Sequence, residues 1–380
     1  MIMKKILLFA DWYEPGFKAG GPIRSCVNFA EHMKQDYRVY VFTSDRDLGS
    51  DRAYENITVN EWTGAEGAVK IFYSSPDRLS MKMVREQIGR IHPDFIYLNS
   101  MFSRYFTIYP LLLNAREQGG IKWILSPRGM LRTSAIRFKF FKKKVFLNAF
   151  RLLGLHRKVH FHATDATEQE DIRHYFGQAV KISHIANLPG IRVNGQDGIG
   201  KTRGELNMIF VGRIHPIKNL DYLLEILRPV EARVKLSVVG NLEDKAYWQK
   251  CREIIDGLPS NITVNYLGEM ANHLLPAVIR EHHIFALPTK GENFGHAIFE
   301  ALSLKRPVLI SDQTPWRRLQ RAKAGWDLSL QDPTAFQDAV RQAAGWDQAQ
   351  YNEWSANAFD FVSEYMDKSN ALEKYRQLFS

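Results

Sequence analysis

"NMIFVGRIHPIKNLDYLLEIL", residues 207–227, contains the unit from which the chain is built. An apolar run ends in Gly212, a loop follows with Arg213 and Lys218, and "LDYLLEIL" then spaces its leucines as an amphipathic helix does. A strand this continuously apolar is buried on both faces, which is the situation of a parallel strand covered by helices. "KILLFA" opens the chain in the same way, passes through the Gly/Pro-rich loop "DWYEPGFKAGGP", and continues into Ile23, Val27, Ala30 and Met33 at helical spacing. "YRVYVFTS", "DFIYLN" and "KWILS", then "VKLSVVG", "ITVNYLG", "HIFALP" and "RPVLIS", repeat the alternation. The fold class that follows is α/β, with mostly parallel, doubly wound sheets whose ligands lie beyond the carboxyl ends of the strands.

At 380 residues the chain exceeds one ordinary core. The turn-rich interval "NLPGIRVNGQDGIGKTRGE" marks the division. The expected organisation is a first Rossmann-like domain over 1–190, a linker over 191–206, a second Rossmann-like domain over 207–351, and C-terminal helices over 352–380 packing back toward the first domain. The 45% hydrophobic and 24% charged composition is that of a soluble globular protein rather than a disordered one. Cys26 and Cys251 stand far apart with no CxxC spacing, which speaks against a disulfide framework or zinc site and for a reducing, cytoplasmic setting. The apolar run of "MIMKKILLFAD" stops at Asp11, too early for an export signal or a membrane span.

A net charge of +10 makes an acidic partner plausible, and no acidic residue occurs from Arg128 to Lys158. Within that interval, "RFKFFKKKVFLNAFRLL", Arg137–Leu153, interleaves phenylalanines with cations. Such a pattern suits an anionic membrane surface or single-stranded nucleic acid.

"GQDGIGKT", Gly195–Thr202, satisfies the P-loop pattern letter for letter. A P-loop lysine at Lys201 would make a nucleoside triphosphatase or kinase, but the pattern needs a helix directly after it, and here a strand follows. His282 and His283 lack metal-ligand spacing, and no metal site is expected. Asp165 and Glu168 in "HATDATEQED" read as helix-capping or solvated acids.

Arg213 and Lys218, beside a helix N-terminus, make an anion site suited to a phosphate or diphosphate. Downstream, "PTKGENFGHAIFEAL" places Glu292 before a helix-opening Gly295 and Glu300 within the helix. Eight residues of helix rise about 12 Å, too far for a glycosidase acid/base pair, so the two carboxylates suit two parts of one long ligand.

"AGGP", "GRIHPIKN", "GENFGHAIFEAL" and "RPVLISD", in this order, resemble the GT-B glycosyltransferases of family 4, retaining and metal-independent enzymes that use nucleotide sugars. The resemblance covers most of the chain. It implies two Rossmann-like domains facing across a cleft and transfer of a sugar from a UDP- or GDP-sugar to a glycan hydroxyl, with no cofactor. The acceptor implied is a lipid-pyrophosphate-linked glycan at the inner face of the cell membrane, and nucleic acid is not a partner. It also implies that Arg213 and Lys218 hold the donor diphosphate with Gly212 and the backbone around Asn293, Phe294 and Gly295. Glu292 would contact the donor sugar, as the third catalytic residue, and Glu300 the ribose. Gly20 and Gly21 would approach the donor phosphates from the first domain. Many members carry a histidine in a "T-x-H-G" string, where "SPRGM" here has Arg128, which is expected on the donor side.

Overall fold

The computed structural model describes residues 3–65, 67–114, 120–132, 135–136, 140–190 and 199–380. The chain forms two compact units, residues 1–188 with 370–380, and residues 189–369.

The first unit carries an eight-stranded sheet in the order β3-β4-β2-β1-β5-β6-β7-β8. Its strands are β1 (Lys5–Phe9), β2 (Arg38–Ser44), β3 (Trp62–Thr63), β4 (Lys70–Ser74), β5 (Phe95–Leu98), β6 (Lys122–Leu125), β7 (His160–Ala163) and β8 (Ile182–His184). All pair in parallel except β3, which runs antiparallel to β4. In β1, Leu7 and Phe9 enter one buried cluster while Ile6 and Leu8 enter the other. Both faces are therefore covered, which is why "KILLF" reads as one apolar run. Helices α1 (Gly21–Met33), α2 (Met81–Ile91), α3 (Tyr109–Asn114), α4 (Phe140–Leu152) and α5 (Ala166–Phe176) belong to this unit.

The second unit carries a six-stranded parallel sheet of β9 (Glu205–Val211), β10 (Arg233–Val239), β11 (Ile262–Gly268), β12 (Ile284–Leu287), β13 (Val308–Ser311) and β14 (Gly325–Leu328). The order β11-β10-β9-β12-β13-β14 is, within the unit, the 3-2-1-4-5-6 order of a Rossmann fold. Helices α6 (Leu220–Leu227), α7 (Lys245–Asp256), α8 (Leu275–Arg280), α9 (His296–Ser303), α10 (Pro333–Gly345) and α11 (Gln348–Ser369) accompany it.

The division departs from the expected boundaries at two places. Helix α11 belongs to the second unit, because Tyr351, Trp354, Ala358 and Val362 enter that unit's core. Trp326, Trp346 and Trp354 stack there, with Trp326 and Trp354 centroids 4.7 Å apart. Only α12 (Ala371–Leu378) joins the first unit, where Tyr375, Leu378 and Phe379 pack with Phe29 and Tyr97. Each such buried side chain contributes about 1.5–3 kcal/mol. The second departure is the linker. Residues 191–198 lie outside the described residues, but Ile199 packs on the second core and β9 already begins at Glu205.

Candidate active site

In an open α/β sheet the crevice forms where strand order reverses, between neighbouring strands whose connections leave in opposite directions. In the second unit those strands are β9 and β12. "GRIHPIKN" follows β9 and "PTKGENFG" follows β12, so the topology brings the two motifs to one place.

They are bonded together there. The Asn219 side-chain amide donates to the Pro288 carbonyl at 3.0 Å, and the Lys290 amide and Thr289 hydroxyl both donate to the Ile217 carbonyl, at 2.8 and 3.0 Å. Lys218 and Glu292 form an ion pair across the two loops, both mostly buried. Arg213 pairs with Glu243, in the loop between β10 and α7. Gly212 and Gly240 end adjacent strands in close backbone contact, and the Gly212 amide donates to the Val239 carbonyl at 3.0 Å. This contact fixes the direction in which the Arg213 loop leaves the sheet.

Helix starts fall into two kinds. Ser80, Asp165, Asp244 and Asp332 cap α2, α5, α7 and α10 with their side chains. By contrast α6 starts on Asn219 and α9 on Gly295, both in the left-handed region, with no side-chain cap; α1, α8 and α12 also start without one. A helix N-terminus without a side-chain cap at a switch point favours an anion, although in α6 the Asp221 amide already donates to the Tyr247 hydroxyl at 3.0 Å. Gly295 has φ 79°, which favours glycine, and an added Cβ would lie 2.8 Å from Ile298 Cδ1, so that side chain would have to move. Phe294 points into the core, where its carbonyl accepts from the Trp316 indole. Asn293 lies in the same loop, half-buried. Glu300 sits in the second turn of α9, but the helix begins only at His296. Glu292 therefore reaches the site from the loop, and the helical rise alone does not set the separation of the two glutamates.

The first unit has its own reversal, between β1 and β5. Gly20, with φ 64°, starts α1 directly after the β1 loop, again with no side-chain cap, and Gly21 is the first helical residue. Arg128 follows β6 with φ 56° and is held by neutral acceptors. It donates to Asn99 Oδ1 at 3.0 and 2.6 Å, to the Tyr97 hydroxyl at 2.9 Å, and to Asn187. Glu168, fully buried, holds the same turn by accepting from the Gly129 amide at 2.6 Å. Asn99, Tyr97, Asn187 and Glu243 went unassigned in the sequence, and Glu168, read there as a capping or solvated acid, is instead fully buried and accepts from the Gly129 and Thr164 amides. The available signal for Asn99 was an asparagine closing the apolar run "DFIYLN" at the carboxyl edge of the sheet.

Behind Arg128, His162 is buried with Nδ1 2.7 Å from the Tyr97 hydroxyl and Nε2 2.8 Å from the Ile185 carbonyl. A carbonyl only accepts, so Nε2 carries the hydrogen and Nδ1 accepts from Tyr97. Burial, then repulsion from Arg128, lowers the imidazole from 6.5 to about 3. Between those values the unfolded chain binds the extra proton. Stability is full above pH 6.5 and falls toward pH 3, by up to about 1.4 kcal/mol per pH unit. Urea unfolding at pH 7 and pH 5 should show this loss in the native chain and a smaller one in His162→Gln; equal losses would refute a neutral His162.

The other sequence candidates resolve into structural roles. Lys201 is buried, and its ammonium donates to the carbonyls of Thr202, Ala344 and Trp346 at 2.8, 2.9 and 3.2 Å. It closes the C-terminal end of α10, where a cation complements the helix dipole, and no helix separates it from β9. Lys201→Ala should cost about 1–3 kcal/mol in urea unfolding while leaving nucleotide binding unchanged; loss of Mg-ATP binding without destabilisation would restore the P-loop role. His282 bonds the Val278 carbonyl and Ser237 hydroxyl, and His283 bonds the Asn207 amide and Gly200 carbonyl. Asp165 caps α5.

Residues 205–345, nearly all of the second unit's sheet and helices through α10, match the family model "Glycosyl transferases group 1". Among curated relatives, this chain is similar to D-inositol 3-phosphate glycosyltransferase of Rhodococcus erythropolis, with 30% identity over 131 residues, 33% of this chain and 30% of that one. It is also 30% identical over 112 residues to O-antigen chain mannosyltransferase B of Escherichia coli, covering 28% of each chain. The chain thus matches about a third of the length of these relatives. Among solved structures, Anabaena HepE in complex with UDP-glucose superposes with TM-score 0.66 at 16% identity, over 98% of this chain and 99% of that one. The fold is GT-B, and the loops that meet at the β9/β12 reversal lie within the residues that match the family model.

Proposed function

We propose that the chain is a GT-B glycosyltransferase of the retaining family 4 type, which moves a sugar from a UDP- or GDP-sugar to a hydroxyl of a glycan acceptor. The observation that carries this reading is the Lys218–Glu292 pair at the reversal between β9 and β12. A cation and a carboxylate side by side suit a ligand that is anionic at one point and hydroxylated at the next, as a sugar diphosphate is. A ligand with phosphates alone would meet the Glu292 carboxylate unfavourably.

Arg213, Lys218 and the uncapped starts of α6 and α9, with Gly212, Asn293, Phe294 and Gly295 shaping the loops, would receive the diphosphate. Charge develops on the leaving diphosphate, and fixed donors aimed at it stabilise the transition state without a metal ion. Glu243 would release Arg213 to the ligand. Glu292 accepts from sugar hydroxyls and Glu300 from the ribose. Gly20, Gly21 and Arg128, at the reversal in the first unit, serve the phosphates and the transferred sugar or acceptor. The acceptor is proposed to be a lipid-linked glycan of a bacterial surface polysaccharide, a setting consistent with the O-antigen enzyme among the similar proteins.

A panel of UDP- and GDP-sugars should give one donor that binds and is slowly hydrolysed in the presence of EDTA, and NMR of the product should show a retained anomeric configuration. Failure to bind any of them would remove the reading, and dependence of turnover on added metal would remove its metal-independent form.

A further inference from the structure

Helix α4 (Phe140–Leu152) is fastened to the first unit by its inner face. Leu147 and Phe150 are buried, Phe146 meets Phe102 at 5.5 Å, and Phe150 meets Phe176 at 5.2 Å. Its outer face is apolar as well. Among the described residues, the large apolar side chains with 60% or more exposure are Phe141 at 81%, Val145 at 69%, Leu152 at 87% and Leu153 at 60%. At about 100° per residue, Phe141, Val145 and Leu152 fall within about 40° of one another around the axis. The same spacing puts Lys144 and Arg151 along one border of that stripe and Lys142 along the other. No acidic residue lies within the surrounding interval, residues 128–158.

We infer that α4 is the surface by which this protein docks on an anionic lipid bilayer, with Phe141, Val145 and Leu152 entering the acyl boundary and the bordering cations pairing with lipid phosphates. An apolar stripe edged by cations matches the depth profile of a bilayer surface, where hydrocarbon lies beneath a layer of phosphates. Beside the C-terminal end of the helix, a cavity of about 470 Å³ is lined by Asn148, Arg151, Leu152, His156, Arg157 and Phe176. Two arginines beside an exposed leucine give a phosphate headgroup a place next to the inserted stripe. A second copy of the chain is a poorer occupant, since stacking two such helices sets cations against cations. Nucleic acid is poorer too, since the stripe is mainly aliphatic and offers little ring surface for bases.

The inference is independent of the sugar chemistry, and its test uses none. The full chain is sedimented with vesicles of phosphatidylcholine alone or with about a third phosphatidylglycerol, at physiological salt. The native protein should partition onto the phosphatidylglycerol vesicles at least about tenfold more strongly than onto phosphatidylcholine. F141S/V145S/L152S and, separately, K142E/K144E/R151E should each reduce that partition by about tenfold or more, with unchanged circular dichroism and melting. Equal binding to both vesicle types, or full binding by F141S/V145S/L152S, would overturn the inference. So would displacement from vesicles by a random oligonucleotide, or a native dimer in solution that F141S/V145S/L152S dissolves.

Discussion

Lys218→Ala is expected to lower turnover of bound donor by about 10²–10³-fold, with a loss of stability of about 1–3 kcal/mol as Glu292 is left without its partner. The estimate is that of removing one fixed donor from a developing anion in a water-poor site. Lys218 is mostly buried against Glu292, so its charge is positioned before any ligand arrives, and little reorganisation remains at the moment of reaction. Because the effect is on the transition state, kcat and kcat/KM should fall together, whereas a lysine that merely steadied ground-state donor would raise KM alone. Glu292→Gln offers the complementary reading. It keeps the shape, removes the charge partner of Lys218, and should lose discrimination among donor sugars before it loses affinity for the free nucleoside diphosphate. Lys218→Ala with full turnover at saturating donor would contradict the assignment.

Gly240→Ala is expected to destabilise the second unit by about 3 kcal/mol or more. The backbone of Gly240 has φ 153°, and an added Cβ would lie 1.9 Å from the Gly212 carbonyl oxygen and 2.7 Å from its carbon. Both atoms belong to backbone at the end of β9, so no side-chain rotation relieves the clash. The strand ends must part, and with them the loop that carries Arg213. Urea unfolding should therefore move to lower denaturant, and any protein that still folds should bind donor more weakly. A change within about 0.5 kcal/mol would show that the two strand ends are not held as tightly as this geometry requires.

The α/β class and the two loops of the second unit were legible because burial on both faces removes polar alternation and leaves strands such as "NMIFVG" unmistakable. Strand order was not written in any one segment, but it follows from the connections and explains why residues some 74 positions apart, Lys218 and Glu292, meet. Less legible was the C-terminal end. Nothing before Asn370 announces that the chain there leaves one core for the other. Local patterns also gave no counter-ion for Arg213, because Glu243 comes from the loop after a neighbouring strand. The "GQDGIGKT" match misled in the opposite sense. Its lysine satisfies three carbonyls at a helix end, a role that spacing alone does not distinguish from phosphate binding. Arg128 shows the limit most plainly, since the sequence marks its place in "SPRGM" but not the cage of Tyr97, Asn99 and Asn187 that holds it.

The central claim is that the paired loops at the β9/β12 reversal hold a sugar nucleotide by its diphosphate. Calorimetric titration of the native chain and of Lys218→Ala with the UDP- and GDP-sugar panel, each followed by assay of released nucleoside diphosphate, tests it most directly. The native chain should bind one donor and slowly release its nucleoside diphosphate, and Lys218→Ala should all but abolish the release. No binding of any donor by the native chain, or release undiminished in Lys218→Ala, would contradict it.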